Sequence, residues 1–331
     1  MCFFPANNGM AVAVENFLSI ARNVFSVPVE DSIIAAVFAM GPVVDPYTKP
    51  LEIALSAGLN ATLPMDVFYS WVAKIESPHV KHLPLMNPVH ALLAVILYSV
   101  VIFAGSQIMK GFNKFTLKSY SWLHNLILTA LSLYTAVKVV LLSHSNGIRI
   151  YAFLNNVNHS PSGLQLAKVC WLFYFAKFPE LLDTVIMMLK KNNRQISFLH
   201  VYHHSTILLM MWLVVAWAPG GEFCLSVFLN SSVHVVMYGY YLLSSMGIKQ
   251  VSVIKYYITA MQMTQFLILL TQAIFDSVSE YLHPGSTNFP WQIAQMNISY
   301  MVSMLLLFGN FYIQDKRRIA KEKAGPKNKK E

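Results

Sequence analysis

Charged side chains are scarce in this 331-residue chain, at 12% of the sequence, where a soluble domain carries roughly 25%. That shortage excludes a large water-facing surface. The 56% hydrophobic fraction is instead gathered into stretches of about 20 residues, the length that crosses a bilayer core. Cysteine is scarcer still. Cys2, Cys170 and Cys224 form no CxxC motif, which argues against a thiolate metal site, a redox dithiol or a disulfide framework. Acidic residues number 15 against 24 basic ones, but no folded basic face accompanies the excess, so nucleic acid is not an expected partner. The N-terminus lacks the basic start and small-residue cleavage site of a secretory signal peptide, and there is no internal repeat.

The apolar stretches predict an all-α membrane protein, a bundle of seven transmembrane helices over residues 88–109, 121–142, 169–189, 198–217, 223–244, 253–274 and 291–313. Basic loops mark the cytosolic side. Lys110, Lys114 and Lys118 follow the first span, Lys190, Lys191 and Arg194 the third, and Lys249 and Lys255 the fifth. The alternate connections hold Arg149 with Lys168, then Glu222, then Asp276 with Glu280. An odd number of spans places the N-terminus in the lumen and the C-terminus in the cytosol. Three units follow: a lumenal segment 1–85 with four basic and seven acidic residues, a seven-helix domain 86–313, and a basic tail 314–331 suited to anionic lipid. Sequons at Asn60 and Asn158 both fall on the lumenal side. The final KNKKE, Lys327–Glu331, fits a KxKxx retrieval signal, so the expected location is the endoplasmic reticulum membrane. The apolar stretch 28–42 is too short to span and is expected to lie at the lumenal surface or pack on the bundle.

Ionisable groups inside a span are expensive and mark function by default. In KFPELLDT, Lys177, Glu180 and Thr184 follow i, i+3, i+7 spacing on one helical face with Asp183 beside them. An internal ion-pair lock is the competing reading for the lysine and glutamate. Pro179 should kink this span and free the Phe175 carbonyl. In HVYHH, His200, His203 and His204 share a face at the cytosolic end of the next span. The fifth span adds a stripe of Asn230, His234, Met237, Tyr238 and Tyr241, and the sixth offers Thr259, Gln262 and Gln265, which could bind substrate or staple helices. His124 and Asn125 open the second span at the same level. The lumenal halves are mostly Phe, Leu, Met and Val. A polar mouth above an apolar shaft suits a long alkyl chain on a large polar head.

Imidazole is a common metal ligand, and membrane desaturases and hydroxylases also carry an HxxHH box. They need about eight histidines in three boxes, against four clustered here in one box, so a metal is not expected. Histidine can instead act as a base or as a nucleophile forming an acyl-imidazole. A receptor does not need this cluster, and the discontinuous repeats of a transporter are missing.

The four segments KFPELLDT, HVYHH, NSSVHVVMYGYY and TAMQMTQF, in this order and spacing, resemble the signature motifs of the ELO fatty acid elongases. That resemblance covers roughly residues 88–312. It implies a 3-oxoacyl-CoA synthase that condenses a long-chain acyl-CoA with malonyl-CoA and releases carbon dioxide and CoA, with no cofactor beyond these substrates. Gln195 ahead of ISFLHVYHH, the phrase SxxHxVMYxYY and the ending LLFGNFY resemble the polyunsaturated-chain type. The expected catalytic residues are His200, His203, His204, His234 and Asp183. His203 is the acyl acceptor or central base, oriented by His200 and His204, and His234 assists decarboxylation of malonyl-CoA and stabilises the enolate. Asp183 and Glu180 fix imidazole tautomers and Lys177 neutralises a carboxylate or the enolate. Asn230, Tyr238 and Gln262 donate to thioester oxygens, while Tyr241 and Gln265 complete the substrate-binding set. Lys190, Lys191, Arg194 and Lys255 are candidates for the CoA phosphates, or loop charges that set topology. Membrane lipid is a partner, the reductases and dehydratase of an elongation cycle are expected ones, and a homo-oligomer is compatible with the sequence.

Overall fold

The computed structural model describes residues 8–62, 64–150, 161–286 and 289–323, and among these there are helices and no strands. The helices are α1 (Asn8–Val24), α2 (Val29–Thr62), α3 (Met65–Ile75), α4 (Pro88–Ile108), α5 (Lys118–Ser145), α6 (Pro161–Glu180), α7 (Leu182–Leu189), α8 (Phe198–Trp217), α9 (Phe223–Ser245), α10 (Ile254–Leu282) and α11 (Trp291–Lys323).

Seven described helical stretches are long and apolar enough to cross a membrane. Six coincide with expected spans: α4, α5, α8, α9, α10 and α11. The membership of the seventh differs from the expectation. The span 169–189 is not one helix but α6 and α7, interrupted at Leu181. Pro179 supplies no amide hydrogen to the ladder, and the chain turns tightly there, Leu181 N bonding to Phe178 O at 3.1 Å and Thr184 N to Leu181 O at 3.2 Å. Leu18–Thr62 is the remaining stretch, and little of its apolar window is buried. The apolar residues 28–42 are therefore not a short isolated segment. They open α2, a 34-residue helix carrying Pro42, Pro46 and Pro50 at four-residue intervals along one face.

Local chemistry sets the ends of the helices that build the bundle. Asn87 caps α4 by accepting from Val89 N at 3.0 Å, with Pro88 in the first helical position. Ser197 caps α8 by accepting from His200 N at 3.3 Å. The chain leaves α8 through Pro219, and Gly220 and Gly221 adopt positive φ angles of 137° and 57° before α9 begins.

Neighbouring helices form a closed ring, α6–α8–α11–α10–α9–α5 and back to α6, with α4 outside it on α8 and α7. One end of the ring is plugged by the loop between α3 and α4. Val80, Leu83 and Met86 are buried there, and the indole and phenol groups of the wall reach its backbone. Trp171 Nε1 donates to Pro84 O at 2.8 Å, Trp212 Nε1 to Met86 O at 2.7 Å, and Tyr174 OH to Leu85 O at 3.0 Å. The N-terminal helices dock beside the plug. Glu30, 2% exposed, accepts from Tyr134 OH, Lys138 Nζ donates to Phe25 O at 3.0 Å, and Lys168 pairs with Asp31 at 2.6 Å.

Candidate functional site

The break at Leu181 has a direct consequence for the site. It lets the end of α6 and the start of α7 present charged groups to different neighbours. Lys177 and Glu180, on α6, face α9. Lys177 Nζ lies 2.8 Å from Glu180 Oε1 and 3.2 Å from Asn230 Oδ1, and 4.4 Å above the Phe173 ring. Glu180 Oε1 also lies 3.3 Å from His234 Nδ1. The lysine and glutamate side chains are only 1% and 3% exposed, so burial of each charge is balanced by the other. Because the carboxylate accepts, His234 carries a hydrogen on Nδ1.

Asp183, on α7, serves a second pair. Its Oδ1 accepts from His124 Nε2 at 2.8 Å and its Oδ2 from Tyr238 OH at 2.7 Å, which joins α5, α7 and α9. The two carboxylates thus hold the His234 and His124 imidazoles. Tyr238 departs from expectation. Its one hydroxyl hydrogen goes to Asp183, leaving none for a thioester oxygen.

The HVYHH imidazoles take neutral partners. His200 Nε2 lies 2.7 Å from Thr184 Oγ1, which lies 2.8 Å from Tyr98 OH. The His200 and His204 rings are 4.4 Å apart, and His203 and His204 are 5.5 Å apart. His203 Nδ1 lies 3.1 Å from Tyr300 OH. Thr206 Oγ1 faces Tyr202 O at 2.6 Å and, on its other side, donates toward Tyr300 OH at 3.4 Å.

The remaining expected residues divide. Asn230 joins the Lys177 cluster, and Gln265, 5% exposed, lines the same cavity as His203 with its Oε1 unpartnered. Gln262 is not brought into this network: its amide faces Met237 Sδ at 3.8 Å. Tyr241 sits at the edge, its ring against that of Tyr238 at 6.1 Å. Lys190 is tied to Ser121 Oγ at 2.7 Å, and burial lowers its pKa, while Lys191, Arg194 and Lys255 are exposed. Asn60 is exposed in the last turn of α2, not in a loop, and Asn158 lies outside the described residues. Cys170 and Cys224 are fully buried in the apolar core, away from a nucleophile's position. Among the described residues no group of three or more His, Cys, Asp or Glu side chains is arranged to hold a metal ion.

A cavity of about 730 Å³, measured with the open solvent at its mouth, runs between α8, α9, α10 and α11. His203, Asn230, Gln265 and Tyr300 line one part, and Ile207, Met210, Phe266 and Leu269 the next. The far part is not apolar as expected. Glu222, Gln272 and Asp276 line it, and all three are buried. The sequence reading missed Tyr98 and Tyr300 and took Glu222 and Asp276 for loop charges. The signal was in the spacing: Gln265, Gln272 and Asp276 follow i, i+7, i+11 along one face of α10, and Asn297, Tyr300 and Ser303 recur every third residue of α11.

Residues 83–324 match the family model ELO, described as the GNS1/SUR4 family. The chain is 37% identical over 254 residues to fatty acid elongase 6 of Leishmania major, an alignment covering 75% of this chain and 65% of that protein. It is 35% identical over 233 residues to very long chain fatty acid elongase 2 of Rattus norvegicus, covering 70% and 81%. With very long chain fatty acid elongase 4 of Homo sapiens it shares 30% over 274 residues, covering 82% and 84%.

Proposed function

The chain belongs to the GNS1/SUR4 (ELO) family, and from that membership we propose that it condenses a long-chain, polyunsaturated acyl-CoA with malonyl-CoA to give 3-oxoacyl-CoA, carbon dioxide and CoA. The relatives it matches are named fatty acid elongases, and its apolar helices make it a multi-pass membrane protein. It is an acyltransferase of fatty acid elongation, working in the endoplasmic reticulum membrane with its basic loops toward the cytosol.

One observation carries the reading: His203 opens onto a long, largely apolar cavity within a few side chains of the Lys177–Glu180–His234 cluster. The acyl chain occupies the cavity with its thioester at His203 and Asn230. The His203 imidazole attacks the thioester carbonyl, and the acyl–sulfur bond breaks as the acyl-imidazole forms. CoA leaves as the thiolate and takes up a proton from solvent. Malonyl-CoA then loses carbon dioxide to give an enolate, beside the Lys177 ammonium and His234. The enolate carbon attacks the acyl carbonyl, expelling the His203 imidazole and completing 3-oxoacyl-CoA. Hydrogen bonds aimed at developing oxyanions are the largest expected contribution, and the Asn230 amide NH₂ and Gln265 amide are the groups placed to donate them. The reaction as written uses no metal or other cofactor. A 3-oxoacyl-CoA product calls for reductases and a dehydratase to complete a cycle.

The test is condensation by purified protein in detergent, with labelled malonyl-CoA and C16 to C22 acyl-CoAs of varied unsaturation, with and without a strong chelator. A chelator-resistant product two carbons longer, lost in His203→Ala, is expected. Activity that disappears with the chelator would instead favour a histidine-box metal enzyme. Rapid quenching under denaturing conditions should trap the acyl group covalently on the chain, and its absence overturns the nucleophile role of His203.

A further inference from the structure

The far part of the cavity is built for something other than a terminal methyl group. Asp276 is 9% exposed, lines the cavity, and its Oδ1 has no hydrogen-bond partner. Beside it Gln272 spends its amide NH₂ on Glu222, donating to the backbone oxygen at 3.0 Å and to the side-chain Oε2. The Gln272 amide is therefore used on Glu222, and Asp276 Oδ1 is left without a partner at the cavity wall. A buried polar atom without a partner costs on the order of 1–3 kcal/mol, a penalty that a hydrogen-bond donor entering the cavity removes. Eleven residues of α10 separate Gln265 from Asp276, about 16 Å at the helical rise, the reach of an extended alkyl chain of roughly a dozen carbons.

We propose that this far end is a subsite for a hydroxyl group on the terminal carbon of the acyl chain, so that the enzyme accepts ω-hydroxyacyl-CoA in addition to methyl-ended substrates. The inference rests on the reading of the cavity as the acyl site. A neutral alcohol fits better than an ammonium or a second carboxylate. It crosses the apolar middle of the cavity, past Ile207, Met210 and Leu269, at small desolvation cost, and it brings the donor that Asp276 lacks.

The experiment compares three series of acyl-CoAs in the condensation assay, C12 to C20 with terminal methyl, hydroxyl or methoxy groups. The methoxy series has an ether oxygen of similar size and no donor. In wild-type protein the hydroxyl series should exceed the methoxy series in kcat/KM by about tenfold or more at the chain length that reaches Asp276, the discrimination expected where a buried acceptor gains or loses its donor. Asp276→Leu should abolish that ratio, and Asp276→Asn, which keeps an acceptor oxygen, should retain most of it. Equal use of hydroxyl and methoxy chains by wild-type protein at every length overturns the proposal and assigns the space to trapped water. The wild-type comparison stands even if Asp276→Leu fails to fold. Elongation of methyl-ended chains without hydroxyl preference refutes the subsite alone. Elongation of no acyl-CoA at all refutes the acyl reading of the cavity and the subsite with it.

Discussion

The Lys177–Glu180 pair can be a lock between helices or part of the reaction, and paired variants separate the two. The side chains are 1% and 3% exposed and 2.8 Å apart, so neither charge has water to fall back on. Removing one member of such a pair leaves the other uncompensated, at a cost of about 3–5 kcal/mol. Lys177→Met leaves Glu180 with His234 Nδ1 at 3.3 Å as its remaining partner and removes the donor to Asn230 Oδ1. Glu180→Leu strands the ammonium against the Phe173 ring and Asn230. Each single variant should lower the apparent melting temperature in detergent by roughly 10 °C. The double variant Lys177→Met/Glu180→Leu buries two apolar chains of similar volume, and replacements of this kind are often neutral or stabilising, so it should recover most of the loss. Condensation should not recover with it. His234 loses the carboxylate that holds its tautomer, and the enolate loses its cation, so kcat should stay down by about 100-fold or more. The measurements are thermal unfolding and labelled malonyl-CoA incorporation on the same preparations. A double variant that regains both stability and activity refutes the catalytic role and makes the pair a lock. A Lys177→Met protein as stable as wild type refutes the electrostatic argument itself.

Other positions give sharper single readouts. Asp183→Asn keeps the shape but removes the charge that accepts from both His124 Nε2 and Tyr238 OH. One of the two donors is then left unsatisfied, and kcat should fall about tenfold to 100-fold with little change in KM. Tyr300→Phe deletes the phenol hydrogen-bonded to His203 Nδ1, so kcat should drop roughly tenfold while the melting temperature stays within a few degrees of wild type. An unchanged kcat would remove Tyr300 from the mechanism. Tyr134→Phe takes away the donor to buried Glu30 and should loosen the N-terminal helices, seen as faster proteolysis within α1 and α2, without loss of condensation.

The charged face of the third span was legible because intramembrane charge is rare and helical spacing is fixed. Lys177, Glu180 and Thr184 had to share a side. Which partner each found was not legible, because that depends on where the chain breaks. A proline announces that a helix is weakened. It does not say that the restart falls at Leu182, and the restart is what turns Asp183 toward His124 and Tyr238 while Glu180 stays with His234. Tyr98 and Tyr300 escaped notice for a related reason. A tyrosine in an apolar span is commonplace, and only the ring of helices shows that these two phenols end on Thr184 and His203.

Asp276 was misjudged by the same rule that found the cluster. Loop charges orient spans, and a carboxylate near the end of a span reads as the first residue of a loop. In the structure α10 continues to Leu282, so Asp276 lies well inside the helix, and it turns inward to the cavity. Length was the missing quantity. A helix of 29 residues rises about 43 Å, well beyond the roughly 30 Å of bilayer hydrocarbon, so its last turns can stand outside the apolar layer while still forming the wall of an internal cavity. A charge there carries little cost on the outer face and a large one on the inner face. Inward placement of Asp276 therefore has to be compensated by its surroundings or by a ligand. Glu222 beside it adds a second acidic side chain, and Gln272 serves that neighbour, leaving Asp276 Oδ1 without a partner at the cavity wall. A terminal hydroxyl is the smallest neutral group that supplies what this end of the cavity lacks.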